Sequence, residues 1–156
     1  MMEYFQAGIT LEMKLIADDY QKQGKTVSYL ALENAVVGYV VIGDKIKESS
    51  VKAIATLQEK GIDDIMLTGD NFNTAHAVAN KLNLANFKAV MLPQDKLKEV
   101  EHLQANGKIV AMAGEGINDA SALAKSNVGI AMGTGTVIAI ESAMITFVKG
   151  RFTRNS

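Results

Sequence analysis

From Ser49 onward, short apolar runs alternate with segments whose apolar residues recur every three or four positions, and this alternation limits the chain to an α/β fold. Val51, Ile54 and Leu57 form one helical stripe, stopped by Gly61 and followed by a buried strand over residues 64–67. Ala75, Val78, Ala79 and Leu82 mark a second helix, and a strand at residues 87–91 comes after it. Pro93 opens a third helix with an inner face of Leu97, Val100 and Leu103, and Gly107 closes it. A strand at 109–113, a helix at about 119–125, and strands at 128–132 and 143–148 with a short helix between them complete the series. The pattern predicts a parallel sheet with helices on both faces, in which ligands bind beyond the carboxyl ends of the strands. Three polar, glycine-bearing loops fall at those ends: residues 68–71, 114–119 and 133–136.

Ahead of this series the pattern differs. Leu11 to Gln23 has apolar residues at 11, 15, 16 and 20, Thr10 as N-cap and Gly24 just past the end, so it predicts an amphipathic helix. Two strand-like runs, 26–32 and 35–42, read as a hairpin, and a composition boundary falls at Asp44-Lys45-Ile46-Lys47. The expected division is therefore a small unit over residues 1–43, an α/β domain over 44–150 and a tail over 151–156.

Composition narrows the possible functions. A net charge of −1 gives no electrostatic case for nucleic acid or an anionic membrane. The sequence has no cysteine, which excludes disulfides, thiolate metal sites and a cysteine nucleophile. No apolar run approaches the roughly 20 residues of a membrane span, so the reading is a soluble chain. His76 and His102 lack an acidic or cysteine partner at metal-ligand spacing and read as surface histidines, and the scattered methionines read as core packing rather than copper ligands.

The loops carry the chemistry. In Gly114-Glu115-Gly116-Ile117-Asn118-Asp119, two glycines let the backbone approach a ligand closely, and Glu115 and Asp119 are hard oxygen ligands of the kind Mg²⁺ prefers. Thr68-Gly69-Asp70 offers a hydroxyl and backbone amides at a helix N-terminus, which suits a phosphoryl group and equally suits an ordinary N-capped turn. Lys96 lies in the first turn of its helix, where a cation opposes the helix dipole, so it reads as serving something outside that helix.

Met66-Leu67-Thr68-Gly69-Asp70-Asn71, Leu92-Pro93-Gln94-Asp95-Lys96, Gly114–Ala120 and Ala131-Met132-Gly133-Thr134-Gly135-Thr136, followed by Ile140-Glu141-Ser142-Ala143, stand in one order and spacing. In this the chain resembles the heavy-metal-transporting P-type ATPases, copper exporters most of all, strongly over about residues 44–150 and weakly back to about residue 11. The resemblance implies a haloacid-dehalogenase-like phosphorylation domain, preceded by the last helix and hairpin of a nucleotide-binding domain, at the cytoplasmic face of a membrane-embedded pump. It implies that Thr68 and Gly69 bind the transferred phosphoryl group and that Asp70 helps position nucleotide and metal. Lys96 would neutralise charge on the phosphoryl oxygens. Glu115 stands where the family has a Mg²⁺-ligating aspartate, and Asn118 and Asp119 complete that loop. Mg²⁺ and ATP are the implied cofactor and substrate.

The departures set further expectations. The family's nucleophile lies in an Asp-Lys-Thr-Gly-Thr motif that this sequence lacks; the motif precedes the nucleotide-binding domain in the family, so the chain is expected to begin too late to include it and to be inactive alone. Lys45 and Ser121 replace prolines, Val137 replaces a frequent aspartate, and Glu115 carries one methylene more than the aspartate it replaces. Two other functions fit the residues: a stand-alone non-catalytic phosphate-, nucleotide- or partner-binding module, and a small soluble phosphatase. Without the nucleophile strand, the strands at 64–68 and 109–113 are expected to close the gap by pairing directly or by taking in a hairpin strand, because unpaired buried backbone groups cost about 1–3 kcal/mol each. A homodimer through residues 26–42 or by strand exchange is expected on the same grounds.

Overall fold

The computed structural model describes residues 8–33, 35–43, 45–114, 116–132, 141, 143–148 and 151–154. They fall into two compact units, Met1–Val90 and Met91–Ser156.

In the first unit, helix α1 (Leu11–Lys22) starts where Thr10 Oγ1 accepts the Met13 N–H at 3.2 Å. Strands β1 (Thr26–Leu32) and β2 (Ala35–Ile42) pair antiparallel as the expected hairpin, with a bulge between Leu30 and Ala31. Helix α2 (Glu48–Glu59), strand β3 (Ile65–Leu67), helix α3 (Phe72–Lys81) and strand β4 (Asn86–Lys88) follow, β3 and β4 pairing in parallel. The buried groups here are small: Ala17 of α1, and Thr74, Ala75, Ala77 and Ala79 of α3. Small side chains let the two helices pack closely, and Leu11 and Leu15 of α1 are exposed. Likewise α2 buries no residue, and Val51 and Leu57 of its expected inner stripe are exposed. The period of an apolar stripe reports a helix correctly without naming what covers it. Burial, with Asp18 nearby, raises the pKa of the Tyr29 phenol in β1.

The second unit holds helix α4 (Pro93–Ala105), strand β5 (Ala111–Gly114), a 3₁₀ turn (Ile117–Asp119), helix α5 (Ala120–Lys125) and strands β6 (Val128–Met132), β7 (Ile145–Val148) and β8 (Arg151–Arg154). Strands β5, β6 and β7 pair in parallel, and β8 joins β7 antiparallel within the segment expected as a tail. Val100 and Leu123 are the largest fully buried side chains among the described residues, and both belong to this unit. Strand β6 carries Gly129 because a Cβ there would meet Leu123 O at 2.6 Å, so the glycine lets α5 lie against the sheet. The three expected helix stops, Gly24, Gly61 and Gly107, take φ of +83°, +74° and +77°.

The expected α/β organisation with parallel strands is present, and two strand boundaries move. Strand β4 ends at Lys88 rather than residue 91, because Val90 turns to φ +56° and donates its N–H to Asp70 O at 2.8 Å. Strand β5 starts at Ala111 rather than residue 109: Ile109 is 87% exposed, and the Val110 N–H goes to Asn127 Oδ1 at 2.9 Å. Pairing is described within each unit. Among the described residues β3 pairs only with β4, β5 only with β6, and the hairpin forms a sheet of its own. Strand β3 is half-buried throughout, and Ala111 and Ala113 of β5 are exposed. The expected short helix before β7 lies largely outside the described residues.

Candidate active site

The loop after β3 is built around Asp70. Thr68 N–H donates to Lys88 O at 3.0 Å, extending the parallel register by one residue beyond β3. The Thr68 hydroxyl then closes a tight turn, accepting the Asp70 N–H at 3.1 Å and donating to Asp70 Oδ2 at 2.9 Å. The other carboxylate oxygen, Oδ1, accepts from Thr26 Oγ1 at 3.3 Å. Gly69 between them is exposed. Asn71 caps α3 through Oδ1, which accepts the Thr74 N–H at 3.0 Å. The expected hydroxyl, glycine and helix N-terminus are therefore assembled at the carboxyl end of a parallel strand.

In the second unit the loop after β5 holds Asp119. Its Oδ1 lies 2.7 Å from Lys96 Nζ, with the two side chains only 13% and 14% exposed. Its Oδ2 accepts the Gly116 N–H at 3.3 Å, and the Asp119 N–H returns to Gly116 O at 3.0 Å. A Cβ at Gly114 would stand 2.7 Å from Asp119 Cβ and 2.9 Å from Oδ2, so only glycine lets the carboxylate fold back over the strand end. Lys96 reaches this point from the first turn of α4, whose start is fixed by Leu92 N–H donating to Asp95 Oδ2 at 3.0 Å. A nearly buried cation is expensive unless paired, and Asp119 supplies the pair. Asn118 is exposed and makes no hydrogen bond among the described residues. Glu115 and residues 133–137 lie outside the described residues.

The donor chemistry at Asp119 fits Mg²⁺. That ion binds through one or two carboxylates and otherwise keeps water and phosphate oxygens, and an ionised carboxylate offers about four acceptor positions, more than Lys96 and Gly116 occupy. Among the described residues no three His, Cys, Asp or Glu side chains gather into a fuller metal cage. Outside both loops, His76 stacks on Phe72 at 5.9 Å between centroids and His102 contacts Asn106.

A sequence profile of the haloacid dehalogenase-like hydrolases matches residues 2–127. The chain belongs to this family. As a haloacid dehalogenase-like hydrolase it is 46% identical over 133 residues to the copper-exporting P-type ATPase of Bacillus subtilis (strain 168), covering 85% of this chain and 17% of that protein. It is 47% identical over 137 residues to the silver exporting P-type ATPase of Salmonella typhimurium, covering 88% and 17%. Among solved structures, the crystal structure of a zinc-transporting PIB-type ATPase superposes with a TM-score of 0.72 at 34% identity, over 91% of this chain and 23% of that one. The catalytic domain of the CPx-ATPase CopB-B, studied on nucleotide binding, gives a TM-score of 0.63 at 30% identity, over 73% and 44%. This member of the family thus resembles the catalytic part of heavy-metal P-type ATPases, and it spans about a sixth of the length of the pumps it matches. Among the described residues no helix is long and apolar enough to cross a membrane.

Thr26 is a side-chain contact to the candidate loops that the sequence did not signal. It is 44 positions from Asp70, at the start of a strand assigned to a separate unit, and no local pattern links the two.

Proposed function

We propose that this chain supplies the phosphoryl- and Mg²⁺-binding loops of a copper-type cation-transporting P-type ATPase, acting at the cytoplasmic face of a membrane with ATP as phosphoryl donor. The observation that carries this reading is the Lys96–Asp119 pair at 2.7 Å, held under a glycine that makes room for it. A fixed cation beside a fixed carboxylate, at the carboxyl end of a parallel strand, is what phosphoryl transfer requires, because its catalysis is mostly positioning and charge stabilisation.

In this reading the Thr68 hydroxyl and the Gly69 backbone of the first unit bind phosphoryl oxygens with Asp70 as a nucleotide-positioning group, and Asn118 of the second unit is a nucleotide-positioning group of its own loop. Lys96 shares its charge between Asp119 and the phosphoryl oxygens, and its burial strengthens that attraction relative to water. Asp119, with Glu115, holds Mg²⁺, which when bound withdraws charge from the phosphoryl oxygens. None of the 156 residues forms the Asp-Lys-Thr-Gly-Thr segment that bears the family's nucleophile, so the chain by itself binds and orients without becoming phosphorylated.

The test is incubation with γ-labelled ATP and Mg²⁺ followed by acid precipitation, alongside a phosphate titration followed by phosphorus NMR. The protein should bind phosphate in a Mg²⁺-dependent way and remain unlabelled. Hydroxylamine-sensitive label on the protein, or no phosphate binding at all, would overturn the reading.

A second proposal, self-association, is favoured by the hairpin. Leu30, Leu32, Val37, Val40 and Ile42 are exposed on β1 and β2, and neither strand contains a charged residue, so two copies can pair without bringing like charges together. Light scattering should give twice 16.7 kDa as concentration rises, and a constant monomer mass would exclude it.

A further inference from the structure

We infer that Thr26 is a positioning residue for the phosphoryl-binding loop, acting through Asp70 to set the availability of the Thr68 hydroxyl. This rests on the proposed reading of that loop. A hydroxyl has one proton to donate, and Thr68 spends its proton on Asp70 Oδ2 at 2.9 Å while accepting the Asp70 N–H at 3.1 Å. Thr68 can therefore donate to a phosphoryl oxygen only by withdrawing its proton from Asp70. What remains on the Asp70 carboxylate at that moment is the bond from Thr26 Oγ1 to Oδ1, 3.3 Å long. The half-buried carboxylate keeps one donor because Thr26 is there; without it, Thr68 would be the only side-chain donor left to Asp70 among the described residues.

The second effect has the same sign. Asp70 and a phosphoryl group are both anionic, so the loop binds the group best when the carboxylate is fixed and hydrogen-bonded rather than free to turn toward it. The main-chain carbonyl of Asp70 is fixed by the Val90 N–H at 2.8 Å, and the side chain by the two threonines.

Thr26 is itself held in place. The chain between α1 and β1 is tied to α3 by Thr74 Oγ1 donating to Lys25 O at 3.0 Å and by Lys81 Nζ donating to Gln23 O. Thr74 is buried and also accepts from Asn71 Nδ2 at 2.9 Å, so the anchor of this junction is continuous with the cap that follows Asp70. The first strand of the hairpin and the phosphoryl loop thus share one hydrogen-bonded unit, and a pull on β1 is felt at Thr68.

The test compares Thr26→Val, which keeps the shape and removes the hydroxyl, with Thr26→Ser, which keeps the hydroxyl. Lys81→Met loosens the same junction without touching Asp70. Each protein is titrated with inorganic phosphate in the presence of Mg²⁺, and amide hydrogen exchange is read at Asp70 and Val90. Thr26→Val should bind phosphate about fivefold more weakly and exchange faster at both amides, whereas Thr26→Ser should match the parent and Lys81→Met should lose clearly less than Thr26→Val. If Thr26→Val does not fold, Thr26→Ala takes its place with the same expected results. Equal affinity and exchange in parent and Thr26→Val overturn the positioning role alone. An equal loss in Lys81→Met reduces Thr26 to a general tether and also overturns it. A parent protein that binds no phosphate overturns the reading of the loop, and this inference with it.

Discussion

The loop after β3 and the loop after β5 each place an aspartate beyond the carboxyl end of a parallel strand, and they compensate its charge by opposite means. Asp119 meets a nearly buried lysine at 2.7 Å in a unit that also contains both of the largest fully buried side chains, Val100 and Leu123. Among the described residues Asp70 meets only hydroxyls and backbone, in a unit whose buried groups are alanines and a threonine. An ion pair withdrawn from water is costly to break from one side, whereas a neutral donor to a half-buried carboxylate is partly replaceable by solvent. The contrast teaches where each kind of perturbation should register. Changes at Asp119 should show first as lost stability, and changes at Asp70 first as altered ligand binding.

The sharpest way to break this contrast is to remove the lysine. Lys96→Met leaves Asp119 charged and nearly buried without its cation, which should cost about 3 kcal/mol in denaturant unfolding, and adding Asp119→Asn should recover a good part of it. A loss below about 0.5 kcal/mol would place the pair among ordinary surface ion pairs. Next in size, Gly114→Ala forces a methyl group to within 2.7 Å of Asp119 Cβ and should cost about 2 kcal/mol by the same assay. Glu115→Asp tests whether the loop's second acid binds metal. It should tighten Mg²⁺ binding about tenfold, or about 1.4 kcal/mol, by calorimetry, and equal affinities would remove Glu115 from the ligand set. The smallest stability effect belongs to Thr68→Val, about 1 kcal/mol, accompanied by a disproportionate loss of phosphate affinity. If Thr68→Val destabilises more than Lys96→Met, the contrast between the loops is reversed.

Much of this arrangement was legible because it is local. Thr10 as a cap, the helix-stopping glycines, and the hairpin at 26–32 and 35–42 each follow from a few neighbouring residues, and the structure keeps them. Lys96 was legible as a misfit, a cation at the wrong end of a helix, and its partner proved to be Asp119. What sequence could not supply was the identity of neighbours. Val51 and Leu57 lie on an apolar stripe yet are exposed, and Ile109 belongs to an apolar run that begins before its strand does. The same limit hid Thr26, since a hydroxyl that bonds across 44 residues leaves no period and no spacing to read.

Two of the helix stops carry a consequence for the handedness of the chain. At Gly61 and Gly107 the backbone takes φ of +74° and +77°, and a Cβ would meet nothing within 4 Å, so the barrier to a side chain there is stereochemical and not a matter of space. Assembled by chemical ligation with the mirror-image amino acid D-alanine at either position, the protein should melt higher than the parent. The D-residue prefers this conformation and narrows the unfolded ensemble, whereas L-alanine at the same site should melt lower.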